Sequence, residues 1–383
     1  MQSRSFRSAL RTVVCGSVMA ALLVPGVSQA LETKAREAYI MDYDTKTVLL
    51  SKDASRPMPP ASMSKIMTAF MVFERLQDGR LSLDDKLPVS EKAWRKGGSK
   101  MFVEVGDEIA IRDLLRGIIV QSGNDACIVV AEGLAGSEDA FAELMTEKAR
   151  ELGLENSTFA NATGWPDPNQ RMAAEDLAKL ADIIITRFPE YYHIFSEASF
   201  TWSGIEQNNR NPLLYRNIGS DGLKTGHTEE AGYGLTSSAV QGDRRIVMVV
   251  NGLGSTKERA EESVRLMSWA FREFDNFDLL KAGEIVEEAP VWLGTEKTVG
   301  LSPERDLVLT LPKSAKSTMT ATVVYEGPIQ TPIEQGQRLG LIRIEAEGLE
   351  PTEVPLVATR SVDRQGGFGR IVSALNFLIF GQP

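Results

Sequence analysis

The chain has 383 residues, 43% of them hydrophobic and 25% charged, which is enough apolar material for a large core in two or three domains. Its formal net charge is −10. A protein devoted to nucleic acid needs a basic face to neutralise phosphates, so that class is excluded as the main one. Arg4, Arg7 and Arg11 open the chain with no acidic residue nearby, and an apolar run follows from Val13 to Val27. Ser28 and Ala30 are small residues placed for a cut after Ala30. Residues 1–30 therefore read as a secretory signal, too short in its apolar run for a membrane helix and followed by no stop-transfer pattern. Its loss takes three of the 42 basic residues and leaves the mature chain near −13 against 52 acidic ones. Of the two cysteines, Cys15 leaves with the signal. Cys127 sits in the apolar helical run "DACIVVAEGLAG", which predicts a buried thiol and no nucleophile. The only histidines are His193 and His227, and no HExxH or CxxC spacing occurs, so no metal site is expected.

After the signal, "AYIMDYDTKTVLLSKD" predicts two strands around a "YDTK" turn. "PPASMSKIMTAF" then predicts a helix from Ser62 to about Gly79, with Met63, Ile66, Met67 and Phe70 on its core face. A mostly helical stretch follows over about 107–190. From residue 221 strands return, with "GYGLTSSAV" and "RIVMVVNGLG" joined by a "QGDR" turn as a hairpin, and "KERAEESVRLMSWAFREF" closes the block as a helix. This order predicts an α/β catalytic domain over 31–277, a mixed sheet with helices packed on it. Short β-rich runs split by Pro and Gly fill 278–359 and predict a small all-β domain. In the tail, 360–383, Phe368, Ile371, Val372, Leu375, Leu378 and Ile379 recur at helical spacing, with Arg370, Ser373 and Asn376 opposite and Phe380 off the pattern. The apolar run is about 20 Å long as a helix, too short to span a bilayer, so the tail is expected to lie in a membrane interface.

Three motifs occur in order. Ser62-Met63-Ser64-Lys65 is S-x-x-K, Ser122-Gly123-Asn124 is S-x-N, and Lys224-Thr225-Gly226 is K-T-G. Each alone is a weak signal; the order and the spacing carry the argument. A serine hydroxyl needs a neighbour to take its proton, and Lys65 shares a helix face with Ser62. A helix N-terminus favours a developing alkoxide and disfavours a protonated lysine, so Lys65 is the expected base. Gly226 lets a substrate backbone approach, while Lys224 and Thr225 suit a substrate carboxylate. Asn124 is expected to bind a substrate amide and Ser122 to pass a proton between the lysines. Without the other two motifs, "SGN" would read as a turn.

Together with "QNNRNPLLYRN" and "DGLKTGHTEEAGYGL", these stretches resemble the low-molecular-mass penicillin-binding proteins that are D-alanyl-D-alanine carboxypeptidases, serine peptidase family S11. The resemblance runs over nearly the whole chain. It implies a penicillin-binding-protein/β-lactamase-like catalytic fold and an oxyanion hole from the backbone N–H groups of Ser62 and His227. It also implies that Arg210, in "NNRN", helps hold the terminal carboxylate. Some members carry a further arginine in the loop matched by "LGSTKER"; Gly254 and Ser255 take that place here, and no second arginine is expected. The implied partners are the peptidoglycan stem peptide, β-lactam inhibitors and, through the tail, the membrane surface. The implied location is the periplasm, on the outer face of the inner membrane, with no cofactor.

A class A-like β-lactamase needs a glutamate and a nearby asparagine before K-T-G to hydrolyse its acyl-enzyme quickly. "NATGWPDPNQRMAAEDL" offers Asp167 and Asn169 but no Glu-x-x-x-Asn. A non-catalytic wall-binding module would have no use for a primed serine.

Overall fold

The computed structural model of the chain describes residues 10–14, 31–347 and 349–366. It divides into two compact units, Leu31–Arg272 and the segment from Glu273 onward. The larger unit is built on β1 (Glu37–Asp42), β2 (Val48–Lys52), β3 (Ser220–Thr228), β4 (Gly232–Gln241) and β5 (Arg244–Leu253). They lie in the order β2-β1-β5-β4-β3, and every neighbouring pair is antiparallel. The β4–β5 hairpin turns on two residues, Gly242 and Asp243, with Gln241 opposite Arg244. Gly242 has φ +65°, which a two-residue hairpin loop requires and glycine supplies freely.

Six longer helices complete this unit: α1 (Lys65–Gln77), α2 (Ile111–Ile119), α3 (Asn124–Ala135), α4 (Glu138–Glu151), α5 (Ala174–Arg187) and α6 (Thr256–Glu273). The period-2 alternation of β5 divides them between the two faces of the sheet. Ile246, Met248 and Val250 join Leu266, Met267 and Ala270 of α6 in one core. Val247 and Val249 join Ile66 and Phe70 of α1, Ile118 of α2, Ile128 of α3 and Leu180 of α5 in the other. Helices α2 and α3, a single apolar run in sequence, are broken at Val120–Gly123, and the break carries S-x-N. Helix α4 is capped by Ser137, whose hydroxyl accepts from the Ala140 N–H at 3.1 Å, and Glu138 and Asp139 occupy its first turn, where the helix dipole favours them.

The second unit has its own core, with Val291, Val299, Leu301, Val323, Ile342 and Leu356. Phe277, where the sequence changes character, lies inside the strand Phe274–Leu280, which pairs with Leu307–Pro312. The main sheet of this unit has seven strands. Its outermost member is Leu10–Val14, a piece of the expected signal, parallel to Thr320–Tyr325. Residues 361–365, expected in the tail, are built into this unit. Val362 is 1% exposed in its core, and the backbones of Asp363 and Gln365 hydrogen-bond Thr295 and Leu293. The amphipathic pattern from Phe368 onward lies outside the described residues, as do 1–9 and 15–30. No helix among the described residues is long and apolar enough to cross a membrane.

Candidate active site

The turn that carries Ser62 differs from the expected helix start. Ala61–Ser64 is a 3-10 turn, and α1 begins at Lys65. With three residues per turn, positions i and i+3 eclipse, so the turn aligns Lys65 over Ser62 better than an α-helix would. Lys65 Nζ donates to Ser62 Oγ at 2.8 Å. Ala61, just before the serine, has φ +48°, a left-handed backbone that only a surrounding structure can impose on alanine. That surrounding is two glycines. A side chain on Gly164, itself at φ +79°, would strike the Ala61 carbonyl. A Cβ on Gly226 would stand 2.7 Å from Pro60 O and 3.1 Å from Ala61 Cβ. The space where a Gly226 side chain would stand, which the sequence assigned to a substrate backbone, is filled by Pro60, Ala61 and Met63.

Lys65 is 1% exposed. Its Nζ also donates to Asn124 Oδ1 at 2.8 Å and to the Thr163 carbonyl at 2.6 Å. Burial is the main cause that lowers its pKa to about 8; the charges of Arg210 and Lys96 add to this, and Asp125 opposes it. Roughly one such lysine in ten is then neutral at pH 7. Cys127 is fully buried, and burial pushes its thiol up to about 12, so it stays protonated. None of the three partners of Lys65 is a carboxylate. Asp167 closes its own turn, accepting from the Asn169 N–H at 2.8 Å.

Ser122 is 1% exposed with φ +61°, and its hydroxyl has no hydrogen-bond partner. Asn124, the first residue of α3, is fixed on both sides: its Nδ2 donates to Gly97 O at 2.8 Å while its Oδ1 accepts from Lys65 Nζ at 2.8 Å. Asp125 next to it accepts from the N–H groups of Met101 at 2.8 Å and Phe102 at 2.9 Å, which pins the 97–103 loop against the site. Nothing in the sequence marks Asp125 for this role.

Lys224, Thr225 and Gly226 lie on β3, the edge strand, so one side of its backbone is free of sheet pairing. Lys224 is 3% exposed, and burial, followed by the charges of Lys65 and Arg210, holds its pKa well below the usual lysine range. Arg210 donates to Ser99 Oγ at 2.6 Å and meets no carboxylate; its partial desolvation lowers its pKa. His227 is exposed and stacks on Tyr233, ring centroids 3.9 Å apart. The Arg259 guanidinium stands 5.8 Å from the Tyr233 ring centroid, and its Nε is buried without a partner. Burial is the main cause that brings its pKa down to about 10. Gly254 and Ser255, expected in place of a second arginine, instead start α6: the Gly254 N–H donates to Glu258 Oε2 and Ser255 Oγ accepts from the Glu258 N–H. Arg259 stands one helical turn further on. Its charge reaches Lys224, and Arg210 in turn depresses Arg259. An acidic protein thus holds a cluster of buried or half-buried cations, Lys65, Lys224, Arg210 and Arg259, none of which pairs directly with a carboxylate among the described residues, although the buried Asp125 acts on Lys65 from nearby.

The D-alanyl-D-alanine carboxypeptidase model of peptidase family S11 matches residues 25–254, and the C-terminal domain of penicillin-binding protein 5 matches residues 274–364. The D-alanyl-D-alanine carboxypeptidase DacD of Escherichia coli K12 is 37% identical over 363 residues, 93% of this chain and 94% of its own. The crystal structure of a D-alanyl-D-alanine carboxypeptidase DacD from Francisella tularensis superposes with a TM-score of 0.80 at 30% identity, covering 91% of this chain and 98% of its own. Penicillin-binding protein D2 of Listeria monocytogenes, solved in an ampicillin-bound form, superposes with a TM-score of 0.59 at 30% identity over 64% of this chain and 100% of its own. With the family match spanning more than half of the sequence and the three motifs meeting in one cleft, this chain belongs to the D-alanyl-D-alanine carboxypeptidases of serine peptidase family S11.

Proposed function

We propose that Ser62 attacks the carbonyl of the penultimate D-alanine of a peptidoglycan stem peptide and that Lys65 is the base that takes its proton. The observation that carries this is the Lys65 Nζ to Ser62 Oγ distance of 2.8 Å, in a site where burial leaves the lysine at about 8. The tetrahedral oxyanion is held by the backbone N–H groups of Ser62 and His227, the latter on an edge strand. The proton on Lys65 then passes to the leaving amine, with the unpartnered hydroxyl of Ser122 as relay towards Lys224. D-Alanine departs, Ser62 is left as an acyl ester, and water hydrolyses it with Lys65 again taking the proton. The terminal carboxylate is held by Thr225, Lys224 and Arg210, with Arg259 adding to the field behind Tyr233. The substrate amide on the acyl side takes the second Nδ2 proton of Asn124, since Gly97 uses only one. A β-lactam acylates Ser62 by the same attack and leaves slowly. The enzyme acts in the periplasm, held at the membrane surface by its tail.

The test is release of D-alanine from a pentapeptide ending in D-Ala-D-Ala, followed by mass spectrometry. Wild type releases it; Ser62→Ala loses release and covalent penicillin labelling together. A penicilloyl adduct on another residue of Ser62→Ala would displace Ser62 as nucleophile. Replacing Arg210 by Ala should slow a peptide with a free terminal carboxylate far more than its amidated counterpart. Equal losses on the two would remove Arg210 from the carboxylate site.

A further inference from the structure

The segment 91–100, "EKAWRKGGSK", carries four cations on the rim of the cleft, and three of them are engaged. Lys92 pairs with Glu138 at 3.4 Å, Arg95 pairs with Glu91, and Lys100 donates to the Trp94 carbonyl. Lys96 has no hydrogen bond and no ion pair through its amine among the described residues. Its Nζ stands over the ring of Trp165, 5.2 Å from the centroid, a cation–π contact. Trp165 is 44% exposed, unusual for a side chain of that size.

Both residues are fixed to the reaction centre. Lys96 is followed by Gly97 and Gly98, and the Gly97 carbonyl takes a proton from Asn124, the residue assigned to the acyl-side amide. A Cβ on Gly98, at φ +80°, would stand 2.9 Å from the Trp165 ring and 2.7 Å from Asn124 Nδ2. Glycine is required there because the loop, the ring and the amide meet. The charge of Lys96 is felt at Lys65. Trp165 and Lys96 therefore form an apolar platform and an uncompensated cation beside Asn124. Of the cations assigned to the leaving D-alanine, Lys224 lies on β3 and Arg210 donates to Ser99 Oγ, whereas Lys96 stands on Trp165 beside Asn124, the residue assigned to the acyl side.

We propose that Lys96 and Trp165 form a specificity subsite for a carboxylate carried by the stem peptide upstream of the scissile bond, on the side chain of its third residue, with the alkyl part of that side chain lying on the indole. The proposal rests on the carboxypeptidase reading above and adds a substrate preference to it. A third residue whose side chain ends in both an amine and a carboxylate is favoured over lysine, whose side chain ends in an amine alone and meets Lys96 as a like charge.

The experiment measures kcat/KM for D-alanine release by the full-length protein from three pentapeptides. The first has the third-residue side-chain carboxylate free, the second has lysine there, and the third keeps that carboxylate but has the carboxylate of its second residue amidated. The first is expected to exceed the second by about tenfold, the worth of one charge-assisted contact of about 1.4 kcal/mol. Lys96→Ala should bring that ratio within twofold of one, Lys96→Glu should invert it, and Lys96→Arg should keep it. Taking a ratio cancels any change that Lys96 makes in Lys65, because all peptides use the same base. A ratio unchanged in Lys96→Ala overturns the subsite, and so does an equal loss on all three peptides, which is what a merely structural lysine would give. If amidating the second residue costs as much as replacing the third, the carboxylate recognised is the wrong one and the proposal falls. Absence of D-alanine release from every peptide would instead overturn the carboxypeptidase reading itself.

Discussion

Lys65 and Ser122 set what can be expected of single residues. As the proposed base, Lys65 acts as the neutral amine, and its pKa is lowered to about 8. The protonated fraction dominates below that value, so kcat/KM should rise about tenfold per pH unit up to roughly pH 8 and level off above it. Arg210 and Lys96 both depress Lys65. Either one replaced by Ala should move the inflection to higher pH; a profile that stays flat from pH 6 to 9 would remove Lys65 as base. Ser122 stands in a left-handed backbone with a buried hydroxyl that bonds nothing. Ser122→Gly should therefore stabilise the fold by about 1 kcal/mol, raising Tm by roughly 2–4 °C, while cutting D-alanine release. A lower Tm would mean the hydroxyl serves the fold rather than the reaction. The three motifs, which the fold brings together, were legible in the sequence because the proposed proton transfer demands given residue types at fixed spacing. Arg259 was not, because its place depends on where α6 begins, and that is set by the Gly254–Glu258 and Ser255–Glu258 contacts. Lys96 and Asp125 carry no motif; the folded loop alone brings them to the cleft.

Among elements, the 3-10 turn that carries Ser62 is held between β3 and the 161–165 loop through glycines on each. The sequence showed the prolines, the helix and K-T-G, and so the parts of the cleft. It did not show that the helix proper starts three residues late, at Lys65, because that offset comes from tertiary contacts on Ala61 and not from local propensity. The same limit applies to α2 and α3: periodicity reads them as one apolar stretch, and only the observed break shows that Ser122 lies between two helices. Gly226→Ala should push the turn away from β3, since its Cβ would meet Pro60 O at 2.7 Å. The expected result is a fall of about 10²-fold in the rate of β-lactam acylation with the protein still folded, because a displacement on the order of 1 Å misaligns the attacking serine. Near-normal acylation would show that the turn can give way. Gly164→Ala carries a backbone clash at φ +79° and should cost about 3 kcal/mol or more, read as a lowered midpoint in urea unfolding.

At the scale of the whole molecule, every proposed site residue lies in Leu31–Arg272, and the buried residues of both its cores lie between Ala35 and Ala270. A chain of residues 31–273 should thus fold alone and still be labelled by penicillin at Ser62. The sequence placed the β-rich unit correctly in character, through its short strands between Pro and Gly, but a change of composition cannot show which residues a sheet recruits. Residues 361–365 read as tail by composition and are part of that unit by hydrogen bonding and by the burial of Val362. This changes the proposed anchor. Arg360 and Arg364 are held by the β-rich unit, donating to the carbonyls of Thr298 and Thr331, and Arg370 is the one basic residue within 367–383. In the proposed anchor, membrane binding rests mainly on the apolar residues between Phe368 and Ile379, each buried CH₂ contributing about 0.8 kcal/mol, with Arg370 adding about 1 kcal/mol. Cutting after Thr359 would remove Val362 and damage the β-rich unit, whereas cutting after Gly366 leaves it whole. The chain that ends at Gly366 should stay in the supernatant when mixed with anionic phosphatidylglycerol vesicles, and should release D-alanine as fast as the full-length protein, which should sediment with the vesicles. Raising salt from 50 to 500 mM should weaken sedimentation of the full-length protein by less than tenfold, since one arginine carries the electrostatic part. Sedimentation of the shortened chain would put the membrane contact elsewhere and end the anchor reading.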